Sequence, residues 1–357
     1  MKIGIIGLPQ SGKKTLFEVL THCKPRETEL ALNKPIKAVA EIMDARFDKL
    51  VEACKPEKKA RARIDIEMLP KLEKDTIAKG AIFIDINELD AICHVVRVFE
   101  DGTVYHLKGS IDPKRDIDSV NSELILHDLL FIEKRMKGLY RSIKKIKEEV
   151  LIKEKGVLMK LKAHLEKELP LRLLELEDSE KKIISGYPFV THKNMIIVLN
   201  ISENNLKDTS LLEQLKRDYE PTCISIMQVS AKVEREIAGL ESEDEKKEFL
   251  KELGIEEPAI NILTKLCIKA LDLISFFTVG PDEVRQWTIR AGSIAPEAAG
   301  AVHSDLQKGF IRAGIIKYDD FVALGSEKKV EEAGKLYIKG KDYIVEDGDM
   351  LDIRFSV

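Results

Sequence analysis

The run Gly7-Leu8-Pro9-Gln10-Ser11-Gly12-Lys13 constrains this chain most, because it lies between a short apolar run, Ile3 to Ile6, and a helical pattern around Leu16 to Leu20. Between a strand and a helix, such a turn offers backbone N–H groups to phosphate. Its glycines permit tight curvature, the helix N-terminus adds a favourable dipole, and the lysine reaches the β- and γ-phosphates. The expected phosphate contacts are Gly7, Leu8, Pro9, Gln10, Ser11, Gly12, Lys13, Lys14 and Thr15. The bland reading is an ordinary glycine-rich turn.

Lys14 stands where a Ser or Thr hydroxyl ordinarily ligates Mg²⁺. An ammonium has no acceptor for a metal. It either repels Mg²⁺, or replaces part of its charge on the phosphate oxygens, or is a solvated lysine in a loop that binds nothing. Thr15 is the remaining hydroxyl, a contact for the α-phosphate and a candidate metal ligand.

With 357 residues the chain has length for two or three domains. Short apolar runs alternate with helical patterns to about residue 118, as βα units around a mostly parallel sheet do. From Asp118 to about Ile184 the sequence turns Lys- and Glu-rich with apolar residues at helical spacing, such as Leu126, Leu129 and Leu130. Strand patterns resume at Met195–Leu199 and Cys223–Val229, so the helices split one α/β domain. After an amphipathic helix over Ile262–Ile274, the stretch Phe276–Val357 reads as a small α+β domain with Gly-containing turns. The expected division is a phosphate-binding domain over 1–119 and 187–274, a coiled-coil-like helical arm over 120–186, and a separate domain over 275–357.

The net charge of -4 argues against a protein that coats nucleic acid generally. Five scattered cysteines without CxxC pairs fit a reduced, cytoplasmic setting. The opening Met1–Ile6 reads as a buried strand rather than a signal segment, and no apolar run is long enough to span a bilayer.

The phosphate loop, Asn200-Ile201-Ser202-Glu203 and the carboxyl-terminal stretch together resemble the YchF / Obg-like ATPase family over almost the full chain. The resemblance is most specific in Phe276-Phe277-Thr278-Val279-Gly280, in Glu283-Val284-Arg285-Gln286-Trp287-Thr288-Ile289 and in Ala295-Pro296-Glu297-Ala298-Ala299-Gly300. It continues through Lys308–Ala313 and Gly340–Val345. It implies a P-loop, G-domain-like α/β fold with a helical insertion and a C-terminal β-grasp TGS domain, the last associated with RNA or ribosome binding. It also implies nucleotide binding, with ATP preferred to GTP. In this family the base-recognition motif ends in Glu, here Glu203, with Asn200 and Ile201 before it and Ser230-Ala231-Lys232 as the base-supporting loop. Adenine lacks the N1–H and N2–H₂ donors of guanine and offers N6–H₂, so a longer acid without the usual lysine erodes guanine selection. His106, in Val104-Tyr105-His106-Leu107-Lys108-Gly109, matches the family histidine that positions the hydrolytic water. It is the catalytic candidate.

Against the family's DxxG switch the chain sets Asp65-Ile66-Glu67-Met68, so that Met68 replaces the glycine whose backbone meets the γ-phosphate. Asp65 either approaches a metal or caps local structure. Lys24 to Lys34 shows no Pro-Phe-x-Thr segment of the first switch. These departures leave two expectations. One is an Obg-like ATP- or GTP-binding protein, hydrolysing weakly or not at all, acting with ribosome or RNA. The other is a non-hydrolysing scaffold for ribosome, RNA or protein that has lost nucleotide switching.

Lys134, Arg135, Lys137, Arg141, Lys144, Lys145 and Lys147 occur without an intervening acid. On a helix they form a basic strip for RNA phosphates or, equally, a solvated face. Trp287 and Phe310 read as core aromatics.

Overall fold

The computed structural model describes the chain apart from residues 73–79, 104, 105, 107, 146–148, 220, 221, 223, 224, 281 and 357, and apart from the side chains of 145 and 243. It forms two compact units, Met1–Ala38 with Asp65–Ile260, and Val39–Ile64 with Asn261–Val357.

The first unit is built on a six-stranded sheet in the order β2-β4-β1-β5-β6-β7. Its strands are β1 (Lys2–Ile6), β2 (Ile36–Glu41), β4 (Arg63–Met68), β5 (Ala91–Arg97), β6 (Asn194–Asn200) and β7 (Ser225–Val229). β1 pairs in parallel with β4 and β5, and β6 in parallel with β5 and β7. A parallel sheet covered on both faces selects continuous apolar strands, and every residue of β5 is buried. The chain lays β4 on one side of β1 and β5 on the other, so the strand order reverses at β1. In open α/β sheets the crevice beyond the C-terminal strand ends at such a reversal is where ligands bind, and the phosphate loop follows β1 there. Cys223 and Ile224, the expected start of β7, lie outside the described residues.

Between β5 and β6 stand two long helices, Pro113–Lys145 and Glu149–Leu165. Their residues at three- and four-residue spacing close a separate core that includes Ile132, Leu139, Leu158 and Leu161. Proline suits the first helical position because its φ is preset and its missing N–H is not needed there. Where the chain returns to the sheet, the fully buried Asp128 carboxylate accepts from the N–H of Val190 at 3.0 Å, the N–H of Thr191 at 2.9 Å and the Thr191 hydroxyl at 2.6 Å. Further along the arm Arg135 donates to Glu154 at 2.6 Å and to Tyr187 at 3.0 Å. Lys134, Lys137, Arg141 and Lys144 are exposed. Lys147 and the side chain of Lys145 lie outside the described residues.

The second unit holds a mixed sheet in the order β11-β10-β12-β8-β9-β3. Its strands are β11 (Tyr337–Lys339), β10 (Phe310–Ile316), β12 (Met350–Phe355), β8 (Leu273–Val279), β9 (Glu283–Arg290) and β3 (Lys58–Ala60). β3 and the helix Ala45–Cys54, which the expected division leaves in the first segment, thus pack with the carboxyl-terminal strands. Alternation along β8 sends Phe276 into one core, with Ala298 of the helix Ala295–Val302, and Phe277 into another, with Phe47 and Leu50 of the helix Ala45–Cys54. Phe310 is buried, as its sequence context predicts, whereas Trp287 is half-buried, its ring 6.4 Å from that of Phe276. No described helix is long and apolar enough to cross a membrane.

Candidate functional site

The loop after β1 turns on the Leu8 carbonyl, which accepts the Ser11 N–H at 3.3 Å, and ends at Gly12, whose φ of 89° is left-handed. A Cβ on Gly12 would stand 2.0 Å from Asn200 Nδ2, and one on Gly7 would stand 2.7 Å from the Val95 carbonyl oxygen. Both glycines are therefore required by close approach. The helix Lys13–Thr21 has no side-chain cap, which leaves its N-terminal N–H groups to a ligand.

Lys13 is buried, and its ammonium donates to the carbonyl oxygens of Leu69 at 2.5 Å and Pro70 at 2.8 Å. Burial, and then the nearby Lys71, push it down to about 7. His94 lies opposite Ile6 on β5, wholly buried, and neither ring nitrogen has a partner among the described residues. Burial, and then Lys13, push its imidazole down to about 3, so it is neutral. Pattern reading passed over His94, because a histidine inside an apolar strand has no distinguishing spacing.

Asn200, at the end of β6, donates to the Ser11 carbonyl at 3.0 Å and accepts the Ala231 N–H at 3.0 Å. One buried amide thereby ties the phosphate loop to the loop after β7. A cleft of about 530 Å³ opens beside it, lined by Gly12, Thr15, Phe99, Asn200, Glu203 and Lys232 among others. Ile201, Ser230 and Ala231 also line it, as does Arg235, one helical turn beyond Ala231. Glu203 and Lys232 face each other at 3.8 Å. Arg97 lies 4.6 Å from the centre of the Phe99 ring and steadies this apolar wall.

The remaining expected residues are placed as follows. Lys14 lies on the outer side of its helix, 3.7 Å from Glu18. His106 lies outside the lining of the cleft, with its Nε2 3.3 Å from Asp116 and its Nδ1 accepting the Lys108 N–H at 3.2 Å. Asp116, which also meets Arg115 and Lys108, is an orienting partner that sequence reasoning missed. Val104, Tyr105 and Leu107 lie outside the described residues. The region of the first switch holds a short helix, Glu27–Ala31, with no buried residue.

Asp65 requires a correction. It pairs with Lys2 at the start of β1 and lies 3.7 Å from the chain's amino group. Five residues of strand separate that point from Gly7, about 16 Å. A metal at the phosphate loop is beyond its reach. Met68 is likewise a buried strand residue opposite Ile5, not a substituted switch glycine. The segment that meets the phosphate loop is Leu69-Pro70-Lys71-Leu72, whose Leu72 N–H reaches the Gly7 carbonyl at 3.4 Å. Among the described residues no cluster of three or more His, Cys, Asp or Glu side chains could hold a metal.

Comparison with known proteins bears on this geometry. The ribosome-binding ATPase YchF of Bacillus subtilis (strain 168) is 38% identical over 363 residues, 99% of this chain and 99% of its own. This chain belongs to the YchF family. The ribosome-binding ATPase YchF of Escherichia coli O157:H7 is likewise 38% identical, over 100% of this chain and 99% of its own. The family model YchF-GTPase_C, described as "Protein of unknown function (DUF933)", matches residues 273–356, which carry β8 to β12. The structure of the Schizosaccharomyces pombe YchF GTPase superposes with a TM-score of 0.84 at 30% identity, covering 99% of this chain and 97% of that one. The YchF architecture of parallel sheet, helical insertion and TGS-like carboxyl-terminal domain is thus the architecture here.

Proposed function

We propose that this YchF chain binds ATP in preference to GTP, needs little from Mg²⁺, hydrolyses weakly or not at all, and acts with the ribosome in the cytoplasm. The observation that carries the reading is the Asn200 bridge, which holds the phosphate loop and the Ser230-Ala231 loop around one cleft. The backbone from Leu8 to Lys13 cradles the phosphates. Lys13 exchanges the Leu69 and Pro70 carbonyls for phosphate oxygens, and Glu203 accepts from the adenine N6–H₂. Lys14 stands in place of a hydroxyl ligand, with its ammonium turned to Glu18. Mg²⁺, when bound, would neutralise phosphate oxygens, with Thr15 as the residue left to hold it. His106, steadied by Asp116, positions water in any turnover.

The names of the bacterial relatives support ribosome association. The exposed Lys134, Lys137, Arg141 and Lys144 and the TGS-like domain are the surfaces assigned to it. Nucleotide domain (1–119 and 187–274), arm (120–186) and β-grasp domain (275–357) are the proposed division of labour. One observation favours the scaffold reading: the phosphate lysine is already satisfied by backbone carbonyls.

Calorimetric titration with ATP, ADP, GTP and GDP, with and without Mg²⁺ and with phosphate release in parallel, decides between them. Adenine-preferring binding supports the first reading, and no binding to any of the four leaves the scaffold. Salt-dependent co-sedimentation with ribosomes, unchanged when the arm lysines are removed, would take the arm out of the proposal.

A further inference from the structure

Two lysines stand side by side where the phosphate loop enters its helix, and the protein holds them by different means. Lys13 is buried and donates to the carbonyl oxygens of Leu69 and Pro70. The side chain of Lys14 is 46% exposed, and among the described residues its ion pair is with Glu18 at 3.7 Å. That separation is too long for a hydrogen bond, and Glu18 Oε1, though buried, has no hydrogen-bond partner among the described residues. The Glu18 side chain is only 17% exposed, so packing confines the carboxylate while the ammonium is free to move.

The pair is also set in the weaker of its two orientations. Lys14 is the second residue of the helix Lys13–Thr21, and Glu18 lies one turn further on. An (i, i+4) pair is stronger with the acid first, because a cation in the first turn meets the positive end of the helix dipole. The first turn of this helix contains no acid to offset that end. Lys14 is thus folded back along its helix, away from the N–H groups at the helix start, and is held there by one long contact. Its charge rides on a flexible four-carbon stem, so the ammonium can change partners without any change in the backbone.

We propose, resting on the nucleotide reading of the cleft, that Glu18 is a positioning residue for Lys14: it draws the ammonium back along the helix, and the terminal phosphates of a nucleoside triphosphate pull it off. Lys14 occupies the motif position whose usual hydroxyl serves the β- and γ-phosphates. An ammonium released from Glu18 therefore meets those two groups, where a triphosphate presents more negative charge than a diphosphate. Lys14 adds more to the affinity for ATP than to that for ADP, and Glu18 sets how much of that gain survives the breaking of the pair.

Calorimetric titration of the full chain with ATP, ADP and inorganic tripolyphosphate, all without Mg²⁺, tests this as a double-mutant cycle. Glu18→Gln keeps the shape of the side chain and frees Lys14. It should tighten ATP about threefold and leave ADP nearly unchanged. Glu18→Asp, which keeps the charge but falls short of Lys14, should act in the same direction. Lys14→Met should weaken ATP about fivefold, and in that background Glu18→Gln should change nothing. A Glu18→Gln gain that persists in the Lys14→Met background would show a general effect of the lost charge and overturn the inference. So would a Glu18→Asp variant that binds like the parent while Glu18→Gln gains, and so would ATP and ADP tightened alike or left alike. In each of those cases ATP still binds, and the nucleotide reading stands. Tripolyphosphate bound with the same dependence on Glu18 and Lys14, but no binding of ATP, would remove the nucleotide reading and leave the role of Glu18 in place. A chain that binds none of the three would remove both.

Discussion

At the base end of the cleft, Asn200 uses its amide to join the Ser11 carbonyl and the Ala231 N–H. At the phosphate end, Lys13 gives its hydrogen bonds to Leu69 and Pro70, and Lys14 occupies the position of a metal-binding hydroxyl. The first arrangement joins the two loops through hydrogen bonds within the protein itself. The second matters chiefly when a γ-phosphate and a metal must be handled. On the proposed function, the frame of the fold is secured by groups with no part in phosphoryl transfer, and the departures fall on residues assigned to it.

The strongest way to break this contrast is at Gly12, where a Cβ would meet Asn200 Nδ2 at 2.0 Å on a backbone with φ of 89°. Gly12→Ala should cost about 3 kcal/mol of stability and abolish nucleotide binding, readable by urea melts and calorimetry. Asn200→Ala removes both bridges and leaves buried partners unpaired, for about 2 kcal/mol. A variant that melts like the parent would mean that the loops hold without the amide.

Next in size is the response to pH. Lys13 at about 7 must stay protonated to hold phosphate, so ATP affinity should fall about fivefold between pH 7 and 8. Proton uptake on binding, measured in buffers of different ionisation enthalpy, checks the sign; no uptake would mean that Lys13 stays on its carbonyls. The same shift acts on folding. Its folded value lies below its ordinary 10.5, so the unfolded chain holds more protons and this group's contribution to stability rises from pH 7 to 10.5. His94 is depressed as well, so its contribution is present above 6.5 and is lost as pH falls toward 3. His94→Leu should flatten the acid limb of the stability curve while keeping the stability at pH 7 within about 1 kcal/mol. An unchanged acid limb would show that other groups dominate it.

The smallest effect is expected from Lys14→Ser. With Asp65 at the far end of its strand, one restored hydroxyl should raise Mg²⁺-dependent phosphate release less than about twofold. A larger gain would show that the phosphate end lacks only this ligand.

The parallel sheet was legible because its strands are unbroken apolar runs, and the phosphate loop because its glycines stand between a strand and a helix. Asn200, Glu203, Ser230 and Ala231 were found through the motif and do meet at one cleft. Asp65 misled because a DxxG-like spacing does not reveal strand register, and only the pairing of Lys2 with Asp65 shows the segment to be strand throughout. The pairing of Lys58–Ala60 with β9 in the second sheet was not legible either. β3 is three residues long and begins with two lysines, which carry no strand periodicity. Asp116 looked like any acid in a first helical turn, and its pairing with His106 exists only in three dimensions.

The Asp128 carboxylate gathers three donors where the outgoing helix passes the returning chain, so the two ends of the helical insertion are pinned together at its root. Everything distal to that knot is, in topological terms, a loop already closed. Its length and sequence can drift, or be exchanged for another hairpin, without disturbing the strands on either side, which makes the arm the part of this chain best suited to acquiring new attachments.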